Sequence, residues 1–237
     1  MNKNSSVKEI LAQLHKLADR EKAKFKETKF GIPAGDSLGI YQADLNLIVK
    51  AIGKNSMRAI ELYDSGIYEA RILCAKSFTP KDITFKLAEK WISDFENWEV
   101  CDTFCMKVFA CSHLAIDIIR AYYNGDREFE KRASFATMAA YCSADKTAGN
   151  DVFMDLLPYI VAASTDGRNF VKKAVSWALR SIGKRNKDLL IQAIYLAENL
   201  QTSDSASAKW IAKDALRELS GSKVRISDYP RSIYGPA

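Results

Sequence analysis

The strongest constraint on how this chain can fold is a motif that returns four times. An aromatic residue is followed three positions later by a cation and then by small or apolar residues in Tyr68–Ala75, Phe129–Ala136, Phe170–Trp177 and Trp210–Arg217. The last three copies begin about 40 residues apart, and the wider first interval leaves room for one more helix pair around Trp98.

A period near 40 with two helices per unit is the signature of a HEAT-like solenoid. One unit of this kind cannot bury its apolar face alone, so units stack and equivalent positions point the same way. The sequence therefore predicts an all-α, right-handed HEAT-like α-solenoid of about six helical units with a concave basic cleft. Arg71, Arg132, Lys173 and Lys213 would line one side of it. Scarce punctuation agrees: there are 11 Gly and 5 Pro in 237 residues, with little apolar/polar alternation. The 48% hydrophobic content suffices for a sizeable core.

The pattern predicts an opening helix over 6–27, a turn-rich break at Phe30–Gly35, and a helix from Ser37 to Ile52 closed by Gly53. Ser56 reads as a helix cap, Asp64-Ser65-Gly66 as a turn, and Ile67–Phe78 and Asp82–Ser93 as helices. Residues 1–220 read as one repeat domain. Gly221–Ala237, with Pro230, Gly235 and Pro236, reads as a loosely docked or disordered tail.

Charge is distributed unevenly. The excess is small, 35 basic against 29 acidic residues, yet Arg168–Lys187 holds seven cations and no acid. On a helix, Val171, Ala174, Val175, Ala178 and Ile182 form an apolar stripe. Lys173, Trp177, Arg180 and Lys184 form a second, cationic stripe with one indole in it, as expected of a surface that meets a polyanion. In Asn97–Asp102, Asn97 is placed to cap a helix, and Trp98 and Asp102 share a face one turn apart. A carboxylate beside an indole can balance positive charge developing on a substrate or orient a water.

Five cysteines without framework spacing, and no leader-like or membrane-spanning run, predict a soluble cytoplasmic protein with free thiols. Cys101, Cys105, Cys111 and His113 cluster, but no CxxC pair is present and the first two fit a buried stripe, so no metal is expected. Two histidines and no Gly-rich phosphate loop argue against histidine acid–base chemistry and a nucleotide cofactor; none is expected.

NWEVCDTFC, EFEKRA, VKKAVSWALR and AKWIAKDALREL, in this order, resemble the DNA alkylation repair family, the AlkD-type DNA glycosylases built of HEAT-like repeats. The likeness runs from about Phe30 to Leu219. It implies duplex DNA as partner, action on the nucleoid, and hydrolytic excision of N3- and N7-alkylated purines; a solenoid of this size is expected to act as a monomer. It assigns the catalytic carboxylate to Asp102, flanking indoles to Trp98 and Trp177, and a supporting cation to Arg132. Lys173, Arg180, Lys184 and Arg132 would grip phosphates, with Arg71 and Lys213 continuing the row. Glycosylases of this group carry an extra N-terminal helix that lies against the lesion; here the corresponding piece, Asp19–Phe30, is short. Two other readings therefore stand beside the glycosylase: a non-catalytic binder of damaged or structured DNA, and a protein-binding scaffold.

Overall fold

The computed structural model describes residues 1–32, 35 and 37–235. Pro33 and Ala34 of the expected turn, Asp36, and Pro236 and Ala237 of the tail lie outside the described residues. Every regular element among the described residues is helical. Where the sequence suggests one domain, the chain divides into two compact units, Met1–Thr84 and Phe85–Ala237.

The first unit holds α1 (Val7–Lys16), α2 (Arg20–Phe30), α3 (Gln42–Ile52), α4 (Ser56–Asp64) and α5 (Tyr68–Ser77). The single helix expected over 6–27 is two. The Asp19 side chain accepts the N–H groups of Glu21 and Lys22 and so starts a new helix, which Gly31 closes in the left-handed conformation (φ 66°). The stretch that looks short beside the glycosylases is thus an 11-residue helix of its own.

The expected start of the next helix at Ser37 moves to Gln42 because a buried acid holds the preceding backbone extended. Glu69 on α5 accepts the Ser37 hydroxyl at 2.7 Å, Leu38 N–H at 2.9 Å and Ile40 N–H at 3.3 Å. Asn55, one residue before the expected cap, caps α4 through Arg58 N–H. Arg71 lies over the Tyr63 ring, 5.1 Å from its centroid.

The second unit holds α6 (Phe85–Ser93), α7 (Trp98–Lys107), α8 (Ala115–Tyr122), α9 (Glu128–Ala144), α10 (Asn150–Met154), α11 (Leu157–Ala163), α12 (Asn169–Gly183), α13 (Lys187–Gln201), α14 (Ala206–Leu219) and α15 (Arg231–Tyr234). Here α7, α9, α12 and α14 pack side by side in sequence, while α8 backs α9, α11 backs α12, and α13 backs α12 and α14. This two-layer stacking of helix pairs is the HEAT-like architecture the period predicts.

Helix α9 is the centre of the stack, with every residue from Lys131 to Ala140 buried. The apolar stripe of α12 is sealed against its neighbours: Val171, Ala174, Val175, Ala178 and Ile182 are all buried. The segment after α14 is tied down rather than loose. Ser227 and Tyr229 donate backbone N–H groups to the Lys184 and Arg185 carbonyls, and the Tyr234 hydroxyl donates to Asp188 at 2.5 Å. No helix among the described residues is long and apolar enough to cross a membrane.

Candidate active site

Asn97 caps α7 by accepting Val100 N–H at 3.0 Å, which places Trp98 at the first helical position and Asp102 one turn on. Both side chains are partly exposed. Asp102 is met from α9 by Arg132 in a two-point contact. Nε donates to Oδ1 at 2.9 Å and Nη2 to Oδ2 at 2.7 Å. The remaining terminal nitrogen, Nη1, donates to the Phe170 carbonyl at the start of α12 at 2.7 Å. One guanidinium therefore ties α7, α9 and α12 at a single point, and the fork geometry fixes the plane of the carboxylate.

Burial pushes the Asp102 carboxyl above the ordinary aspartate range, and the Arg132 charge opposes that rise. The Asp102 side chain is 17% exposed against 8% for Arg132, so the acid, not its partner, faces outward. Arg132 is thus a positioning residue, and its inward aim is incompatible with the expected phosphate grip.

The rest of the α7 stripe continues from this pair. Trp98, Asp102 and Met106 follow at four-residue spacing and share a face. Met106 lines one cavity with Trp177 of α12 and with Ala139, Ala140 and Ser143 of α9. The indole of α12 is thereby brought to the stripe that carries Asp102, about one helical turn beyond it. The repeated aromatics touch as well: Phe129 and Phe170 have ring centroids 5.3 Å apart.

The expected cationic stripe of α12 splits in two. Lys173 is exposed and, like Lys213 on α14, makes no ion pair among the described residues. Arg180 and Lys184 instead pair with acids of α14. Arg180 meets Glu218 and lies 3.4 Å from Asp214, and Lys184 reaches Glu218 at 2.5 Å. Ser176 donates to Asp214 at 2.7 Å in the same seam. Cys101 and Cys105, which could have suggested a metal, are buried and direct their thiols to the Phe129 and Ala133 carbonyls.

A family profile for DNA alkylation repair enzymes matches residues 10–219. The chain belongs to that family. A solved structure described as "A new family of proteins related to the HEAT-like repeat DNA glycosylases with affinity for branched DNA structures" superposes with a TM-score of 0.71 at 18% identity. The match covers 90% of this chain and 95% of that one and extends the shared HEAT-like fold. A sequence search of curated proteins returned no significant match.

Two features of this member could not be read from the motif alone. Arg185 is 1% exposed and donates to the Cys142, Asp145 and Ala148 carbonyls, although it stands in the same cationic run as the exposed lysines. Asp166, between helices, is gripped by Arg168 and by Lys131 of α9, and its carbonyl accepts the Ser207 hydroxyl of α14. Only contacts across repeats separate such residues from solvated neighbours of the same type.

Proposed function

We propose that this chain is a DNA N-glycosylase that hydrolyses the glycosidic bond of N3- and N7-alkylated purines in duplex DNA. The observation that carries the reading is the two-point Arg132–Asp102 pair, which keeps a partly exposed carboxylate in one orientation against a fixed cation. An alkylated purine is already cationic and leaves as a neutral base when the bond from C1′ to nitrogen breaks. The sugar then carries oxocarbenium-like charge, and a fixed carboxylate in a partly desolvated site stabilises it without reorganising. Water adds at C1′ and loses its proton to solvent.

Trp98 and Trp177 supply flat apolar walls for the deoxyribose and backbone on either side of the carboxylate. Lys173 and Lys213 are available for phosphates, giving salt-sensitive, sequence-independent affinity. Membership of the alkylation repair family supports DNA as the partner and alkylation damage as the target.

A second reading, a binder of branched DNA without bond cleavage, draws support from the described affinity of the structural relative. It is also favoured by the engagement of both Asp102 oxygens by Arg132. Release of 7-methylguanine from methylated duplex DNA decides between them. Release by wild type that falls by about two to three orders of magnitude in Asp102→Asn supports the glycosylase. Duplex affinity without release supports the binder, and equal release from both proteins overturns the role of Asp102.

A further inference from the structure

We infer that the groove where α14 ends is a phosphate-binding site, taking the backbone of the DNA strand that passes Trp177 as it runs beyond the last repeat. The inference rests on the DNA reading above but does not need Asp102 to be catalytic. The groove has a volume of about 500 Å³ and is walled by Lys184, Arg217, Ser222, Lys223 and Arg225, with Glu218 among them.

The repeat register decides where this groove lies. The shared motif begins at Phe170 in α12 and at Trp210 in α14, so Lys213 stands where α12 has Lys173, and Arg217 where α12 has Trp177. Equivalent positions in a solenoid point the same way. Helices α12 and α14 pack side by side, so Arg217 lies one helix spacing, about 10 Å, further along the stack than Trp177. At about 3.4 Å per nucleotide of one strand, that is about three nucleotides. The two places are also continuous. Lys184 lines both this groove and the cavity that Trp177 lines. A duplex that rests its backbone on Trp177, with its bases stacked, therefore meets the groove next.

The charge there has the right sign and is available. Glu218, the one acid on the lining, is already held by Arg180 and Lys184. Arg217 leans on Asp214 at 2.5 Å, yet its side chain is 78% exposed, so part of its donor fork faces solvent. Lys223 and Arg225 are exposed and make no ion pair among the described residues.

Helix C-termini carry partial negative charge and by themselves repel an anion. Here the carbonyls are covered: Ser227 N–H donates to Lys184 at 2.9 Å, and Ser220 N–H donates to Leu216 at 2.9 Å. A ligand in the groove thus meets side-chain donors, including the Ser222 hydroxyl. Long, flexible cations spaced along a track position a phosphodiester backbone of any sequence and read no base.

Salt titration of binding to a fully paired duplex tests the site. Each phosphate contact contributes about 0.9 to the slope of log affinity against log salt. The double variant Lys223→Ala/Arg225→Ala should therefore lower the slope by about two. Its thermal midpoint should match wild type, because both side chains are exposed and unpaired. Lys223→Arg/Arg225→Lys, which keeps both charges, should retain the slope. Arg120→Ala, an exposed cation on α8 in the backing layer, should leave it unchanged. A wild-type slope in the double alanine variant, or the same loss per charge in Arg120→Ala, overturns the site while DNA binding by the wild type persists. Wild-type binding that is absent, or insensitive to salt, overturns the DNA reading itself.

Discussion

Arg180 of α12 and Glu218 of α14 form an ion pair, and Lys184 one turn later shares the same carboxylate. Burial works to raise Glu218, but the two cations outweigh it and hold its carboxyl below the ordinary glutamate range. The cationic stripe of α12 is therefore divided between a seam that joins two repeats and the exposed Lys173, which the exposed Lys213 of α14 accompanies.

The division predicts different salt behaviour for residues of one type. Each phosphate contact contributes about 0.9 to the slope of log affinity against log salt for duplex DNA. Lys173→Ala and Lys213→Ala should each reduce that slope by about one. Arg180→Ala should leave the slope close to wild type and lower thermal stability instead. Titrations from about 50 to 200 mM salt check this. A larger loss of slope for Arg180→Ala than for Lys173→Ala would contradict the assignment.

The Asp102–Arg132 pair predicts a pH effect with a definite sign. The carboxylate is the working form, so excision is lost as pH falls through the Asp102 pKa. Burial already sets that limb above the ordinary aspartate value, and Arg132 opposes the rise. Replacing Arg132 by Met removes the opposition, so the acid limb of the rate profile moves to higher pH. A variant with lower activity but an unmoved limb would show that Arg132 acts only as packing. Arg132→Met also strands a largely buried carboxylate, at a cost of about 3 kcal/mol or more in stability.

Much of this could be read in advance, for physical reasons. The 40-residue period is legible because every unit buries the same face, which makes Phe129 and Phe170 fall in register and touch. Asn97, Trp98 and Asp102 are legible because capping and four-residue spacing are local rules. What local rules cannot supply is the partner in the next repeat. Arg132, Arg180 and Lys184 look like free cations in sequence because Asp102, Asp214 and Glu218 lie roughly 30 or more positions away. The break at Leu17–Asp19 is missed because the apolar spacing carries across it, whereas a single capping carboxylate decides the geometry.

Asp166 predicts how the stack responds to acid. The Arg168 side chain, against the cost of burial and with help from Lys131, holds its carboxyl down to about 2. In the unfolded chain an aspartate titrates near 3.9. The stabilisation is thus complete above about pH 4 and is lost as pH falls through about 2, amounting to roughly 2 kcal/mol. Asp166→Asn should lower stability at pH 7 by an amount of that order and flatten the fall between about pH 4 and 2. Urea unfolding at a series of pH values tests it; parallel curves for the two proteins would exclude the role.

Arg185 predicts a large loss of stability away from the Asp102–Arg132 pair. Its guanidinium is buried and serves three carbonyls at the end of α9 and in the loop after it, while stacking 4.1 Å from the centroid of the Phe153 ring. Burial lowers its pKa from the usual arginine value, but the acceptors and the ring face compensate the charge from several sides. Lysine has neither the fork nor the plane, so Arg185→Lys buries a compact ammonium with fewer partners. Arg185→Met removes the charge but leaves the Cys142, Asp145 and Ala148 carbonyls without their donor. Each change should lower stability by about 3 kcal/mol or more, with the lysine variant no better than the methionine. The effect should reach the segment after α14, because Tyr229 N–H is held by the Arg185 carbonyl and the two side chains lie 5.8 Å apart. Limited proteolysis should then cut between 221 and 235 in both variants before it cuts the repeats. Wild-type resistance there, with a wild-type urea midpoint, would mean that the carbonyl cage around Arg185 is dispensable.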